Sequence, residues 1–196
     1  MELYDKLIKV YPAEHFSVSN TQTVIEEDEK GAVTCEAIIE HTGTEVLKIS
    51  KNLLVFERDT IANNPHDKVC DGIIAIDEMN KFIGYIELKS ACSTNNALKA
   101  RSQILDSQHH LYSIASKSAF DMASYTEKGI VITQPISDEA RRKARLRRQK
   151  NDESDNTFSP YHFLLNLLKG KAVVDATGMP LLHFNAGDAI SLADLL

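Results

Sequence analysis

The 196-residue sequence has no tryptophan, only five prolines and eight glycines, three cysteines and no long unbroken apolar run. Each scarcity excludes something. Sparse Gly and Pro argue against a loop-dominated or collagen-like chain. Cys35, Cys70 and Cys92 are too few and too scattered for a disulfide framework, and without a CxxC pair they do not build a four-ligand zinc site, so reduced, partly buried thiols are expected. No stretch approaches the roughly 18–20 apolar residues of a bilayer span, and the start lacks the basic-then-apolar order of a signal peptide, so no membrane partner and a cytoplasmic location are expected. GxxxxGK[ST], GxGxxG and GxSxG are all missing, which leaves nucleotide-driven, dinucleotide and serine-hydrolase chemistry without a basis.

What is present is an ordinary globular composition, 43% hydrophobic and 26% charged, with length for one domain spanning 1–196. The net charge of −6 at first disfavours a nucleic-acid partner, because phosphate binding normally leaves a basic footprint. The average hides an asymmetry. Arg141, Arg142, Lys143, Arg145, Arg147, Arg148 and Lys150 stand together without an acid, leaving 15 of the 22 basic residues against 28 acidic ones elsewhere. Seven unopposed cations repel one another unless an anion meets them, so this run is either a phosphate-backbone contact or a solvated segment. With the polar run Asn151–Thr157 after it, a mobile basic and polar segment is expected at about 138–158.

Periodicity orders the rest. Leu3, Leu7, Ile8 and Val10 predict a short opening helix that stops before Pro12. Thr23–Glu27 and Ala32–Ile39 read as a hairpin across a Gly-bearing turn, and an apolar stretch runs from Val46 to Phe56. Lys68–Asp77 and Lys81–Ser90 read as two strands around a tight turn. A long helix is predicted over roughly 94–124, N-capped by Ser93 or Thr94. Gly129–Pro135 reads as a short buried strand, 160–169 as a helix ending at Gly170, and the tail after Val174 is weakly patterned. The order predicts an α/β or α+β fold, a sheet with helices packed on it.

The chemistry concentrates in the second pair of strands. If the turn after Asp77 has three residues, Asp77 pairs with Lys81, and counting back places Asp71 opposite Glu87. Lys89, two residues on, shares their face. Two carboxylates opposed at the end of apolar strands repel and lose hydration unless something positive compensates. A divalent cation would do so: Mg²⁺ takes hard oxygen ligands, one or two of them protein carboxylates. A lysine beside it could orient or help deprotonate a water, or stabilise charge developing on phosphorus. The bland alternative is a partly exposed ion pair of Lys89 with Glu87 or Asp71.

Cys70-Asp71-Gly-Ile-Ile-Ala-Ile-Asp77 followed by Tyr85-Ile-Glu87-Leu-Lys89-Ser90 resembles the PD-(D/E)xK phosphodiesterase superfamily, the restriction-endonuclease-like fold. Asp71 fills the single-acid position and Glu87-x-Lys89 the second half. The family's next helix often carries a glutamine, which Gln103 resembles. The likeness covers about Lys68–Ser107. It implies a central mixed β-sheet flanked by helices and Mg²⁺-dependent hydrolysis of phosphodiesters, with Mn²⁺ able to substitute. Asp71 and Glu87 are then the metal ligands, Lys89 assists attack, Gln103 positions the water or lysine, and DNA is the expected substrate, in a setting such as defence, restriction or mobile-element processing. Cys70 stands where the family has Pro, and a further acid from an early element is unassigned among Glu14, Glu26 and Glu36.

The remaining candidates are weaker. His109 and His110 are adjacent on a helix and point about 100° apart, against joint metal ligation; His66 is a loop histidine that could approach Asp71. Cys70 and Cys92 read as small hydrophobes, not nucleophiles. Two other classes stay open: a catalytically inactive nucleic-acid-binding or protein-interaction subunit on the same fold, and an acidic protein-binding inhibitor. Cutting both strands of a duplex is simplest with two active sites, so a homodimer is one expected assembly and a partner subunit another.

Overall fold

The computed structural model describes residues 2–27, 33–40, 43–61, 63–78, 80–135, 160–174 and 178–196. In chain order these form α1 (Glu2–Leu7), β1 (Phe16–Ser19), β2 (Thr21–Glu27), β3 (Val33–Glu40), β4 (Val46–Ser50), α2 (Lys51–Thr60), β5 (Gly72–Ile76), β6 (Phe82–Lys89), α3 (Thr94–Ser118), β7 (Thr126–Thr133), α4 (Pro160–Leu168), β8 (Ala172–Val174), β9 (Met179–Asn185), β10 (Ile190–Ser191) and α5 (Leu192–Leu195). Among the described residues, no helix is long and apolar enough to cross a membrane.

The large sheet has seven strands in the order β1-β4-β5-β6-β7-β9-β8, and a three-stranded sheet runs β10-β3-β2. β1, β4, β5 and β6 pair antiparallel in succession, whereas β6–β7 and β7–β9 are parallel. The fold is therefore α+β with a mixed central sheet. Strands buried on both faces read as continuous apolar runs, and every residue of Gly72–Ile76 is buried. Their alternation splits the core. Ile73, Ala75, Ile83, Tyr85 and Val131 pack with α1, α2, α3 and α4 residues such as Leu7, Leu54, Ile104 and Leu167. Ile74, Ile76, Phe82, Ile86 and Ile130 pack with Val24, Ala37, Ile39 and Ile190 of the small sheet. The predicted first hairpin is real, with β2 antiparallel to β3, and it covers the second face of the main sheet.

Three local features place the site. Gly129 lets α3 and β9 close on β7: a Cβ there would lie 2.2 Å from Leu181 Cδ2 and 3.1 Å from Ile104 Cγ2. Ser93 N-caps α3 by accepting from the Asn96 N–H at 3.2 Å. The buried Glu57 of α2 accepts from Tyr11 Oη (2.7 Å), Ser113 Oγ (3.2 Å) and Lys117 Nζ (2.6 Å), tying α2 to α3 and to the chain after α1. The helix predicted over 94–124 ends at Ser118 because Ala119 turns into the left-handed region, φ 53°. The weakly patterned tail supplies β9, an interior strand of the main sheet.

Candidate active site

The observed hairpin has the register expected from its turn. Gly72 pairs with Ile86 and Ile76 with Phe82, so the same register carried one step sets Asp71 opposite Glu87, and the Asp71 N–H donates to the Ile86 carbonyl at 2.9 Å. Odd-numbered residues of β5 and β6 face the helical layer, as Ile73 and Tyr85 show. Asp71, Glu87 and Lys89 thus converge on one side at one end of the sheet.

Each carboxylate is buried, Asp71 at 6% and Glu87 at 0% exposure. Asp71 Oδ2 accepts from the Leu88 N–H at 2.9 Å, satisfying a buried donor at the strand end. Its Oδ1 accepts from Lys51 Nζ at 2.6 Å. Lys89 Nζ pairs with Glu87 Oε1. Glu87 Oε2 is buried with no hydrogen-bond partner among the described residues. Burial, followed by repulsion from Asp71, lifts the Glu87 carboxyl to about 8; the charge and hydrogen bond of Lys89 and the charge of Lys51 offset only part of this. Burial pulls Lys51 down, but its hydrogen bond to Asp71 and the charges of Asp71 and Glu87 together leave it above the ordinary lysine value.

Lys51 is the residue that sequence reasoning missed. β4 pairs with β5 through Ser50 and Gly72, so the next residue lies beside Asp71, and there the chain turns into α2. The signal sat in the apolar stretch Val46–Phe56, whose division at Ser50 into a strand and a helix brings Lys51 to the site.

The approach to Asp71 is an extended segment without a strand partner, held by α3. Gln103 donates its amide to the Val69 carbonyl at 3.0 Å, so its hydrogen bond is to the backbone entering Asp71. The Cys70 N–H donates to Ser107 Oγ at 2.7 Å, a bond that Pro at this position would forfeit. Complete burial pushes the Cys70 thiol up to about 12, an effect that the Ser107 hydrogen bond only partly offsets, against a nucleophilic role. Asp106 accepts the Lys68 N–H at 3.3 Å and His66 Nδ1 at 2.9 Å. His66 stacks on His109 with centroids 3.8 Å apart. His110 is buried instead, at 1% exposure, and burial lowers both α3 histidines below the ordinary value.

Glu14 and Glu36 are exposed, and among the described residues no group of three or more His, Cys, Asp or Glu side chains is placed to hold a metal ion. The Glu26 side chain and the run Arg141, Arg142, Lys143, Arg145, Arg147, Arg148 and Lys150 lie outside the described residues. Comparison with protein-family models, curated proteins and solved structures finds no match to the chain.

Proposed function

We propose that the protein is a Mg²⁺-dependent phosphodiesterase of the restriction-endonuclease-like, PD-(D/E)xK type that hydrolyses nucleic acid, with DNA as substrate. The observation that carries this reading is the buried pair Asp71 and Glu87, opposed across two strands with Lys89 on the same face and Glu87 Oε2 left without a partner. A buried, unsatisfied carboxylate oxygen is costly, and two hard oxygen donors are the number of protein ligands that Mg²⁺ commonly takes. The donor set fits the metal. Bound there, the cation would supply Lewis-acid polarisation of the phosphoryl group and offset the charge of both carboxylates.

The chain's own groups divide the remaining work. Asp71 and Glu87 hold the cation. Lys89, 12% exposed at its side chain, orients the attacking water and offsets part of the negative charge that grows on the phosphoryl oxygens as one P–O bond forms and another breaks. Gln103 and Ser107 are positioning residues, since both fix the backbone that enters Asp71. The mixed sheet with helices on one face supports the same reading.

The test is incubation of purified protein with plasmid DNA, linear DNA and single-stranded RNA, in Mg²⁺, Mn²⁺ or EDTA, beside Asp71→Asn and Lys89→Ala. Cleavage that needs metal and is lost in both variants is expected; cleavage that survives EDTA or both substitutions would overturn the proposal. One observation favours a second reading, a catalytically inactive nucleic-acid-binding or protein-interaction subunit. Each carboxylate already has a lysine, Lys51 on Asp71 and Lys89 on Glu87, so with both acids ionised the quartet is charge-paired without metal. Calorimetric titration with Mn²⁺ separates the two, because only the phosphodiesterase requires uptake that disappears in Asp71→Asn.

A further inference from the structure

We propose that Lys51 is a substrate-phosphate ligand, held on Asp71 as a tethered stand-in for a divalent cation and released to the phosphodiester when the metal binds. This rests on the phosphodiesterase reading and adds a residue that the sequence motif does not contain.

The geometry is a competition for one oxygen. Asp71 Oδ2 is committed to the Leu88 N–H, so Oδ1 is the oxygen open to a cation, and Lys51 Nζ lies 2.6 Å from it. The partners differ in freedom. The Asp71 side chain is 2% exposed, fixed in the sheet, whereas Lys51 is 47% exposed on a four-carbon stem and can swing outward without unfolding anything.

Charge gives the direction of the exchange. With both carboxylates ionised, Lys51 and Lys89 balance them, so a divalent cation would leave the cluster two charges in excess. Lys51 is then repelled, and an anion is what the site lacks. The start of α2 reinforces this. Ser50 occupies the N-cap position but makes no capping hydrogen bond, its hydroxyl lying instead 3.4 Å from His15 Nδ1, and the first turn has no acidic residue. The first N–H groups of this ten-residue helix therefore stand uncapped beside Lys51, where the helix dipole favours negative charge. The partnerless Glu87 Oε2 is the independent sign that a ligand belongs at this cluster.

The test separates metal from phosphate. Mn²⁺ alone is titrated calorimetrically into wild type, Lys51→Met and Lys51→Arg, and binding of a short phosphorothioate DNA duplex in Mn²⁺ is followed by fluorescence anisotropy across a salt series. Removing the competitor should tighten Mn²⁺ binding in Lys51→Met by about two- to fivefold, the scale of a partly exposed ion pair. The same variant should bind the duplex about three- to tenfold more weakly, with a salt dependence shallower by about one phosphate contact. Lys51→Arg should keep most of the duplex affinity, which guards against a merely misfolded methionine variant. Metal binding that is equal or weaker in Lys51→Met, or unchanged duplex binding, would overturn the role of Lys51 while leaving the phosphodiesterase reading intact. Wild type that takes up no Mn²⁺ would overturn both.

Discussion

In the metal-free protein, Glu87 should make stability fall as pH rises, and Glu87→Gln should abolish that fall. The folded carboxyl sits at about 8 against an ordinary 4.5, so the folded state holds its proton more tightly than the unfolded chain. Below about pH 4.5 both states are protonated and the group contributes nothing. Between there and about pH 8 only the folded form keeps the proton, and stability declines; above that the penalty is complete. At about 1.4 kcal/mol per pH unit, the span amounts to a penalty of order 5 kcal/mol. Glutamine has the shape of the protonated acid and keeps an oxygen for Lys89. Chemical denaturation in EDTA from about pH 5 to 9 should therefore give variant and wild type equal stability at the acid end, with the variant several kcal/mol ahead at the alkaline end. Taking the difference between the two proteins cancels the titrating groups that do not interact with Glu87. Saturating Mn²⁺ should restore wild type at high pH and stabilise Glu87→Gln, which keeps only one of the two carboxylates, much less. A difference that stays flat across the range would refute the claim that Glu87 is a buried, destabilised carboxyl.

Asp71→Ala strands the buried Leu88 N–H and should cost about 1–3 kcal/mol more than Asp71→Asn, which keeps an acceptor; equal denaturation midpoints would show that the carboxylate does not cap that donor. Gly129→Ala forces a Cβ to 2.2 Å from Leu181 and should lose about 1–3 kcal/mol in thermal unfolding, while Gly72→Ala, whose nearest neighbour would be 3.4 Å away, should lose less than about 1 kcal/mol; the reverse order would contradict the packing of α3 and β9 on β7. Ala119→Gly relieves a left-handed residue at the end of α3 and should gain about 0.5–1 kcal/mol, read as a raised melting temperature.

Much of the candidate site was legible because a hairpin is local. Once the turn after Asp77 is counted, the strand period alone sets Asp71 against Glu87 and puts Lys89 on their face. Lys51 was not legible in the same way: β4 and α2 are both apolar toward the core, so the sequence from Val46 to Phe56 reads as one run, and only the pairing of Ser50 with Gly72 brings Lys51 to Asp71. The end of α3 was overrun because its stop is an alanine in a conformation usually signalled by Gly or Asn. β9 was hidden by Pro180 and by partial burial that blurs alternation. The second layer depends on β10 pairing with β3, Ile190 with Ile39, a contact between distant parts of the chain that no local pattern carries. Gln103 was found by resemblance, and its hydrogen bond to Val69 gives it a local physical task.

The most direct measurement is the initial rate of linear DNA cleavage as Mg²⁺ is raised from zero, for wild type and Lys89→Ala. The phosphodiesterase account predicts a rate that rises from nothing to saturation in wild type and stays near background in the variant. Cleavage by the variant at the wild-type rate, or a wild-type rate indifferent to Mg²⁺, would contradict it.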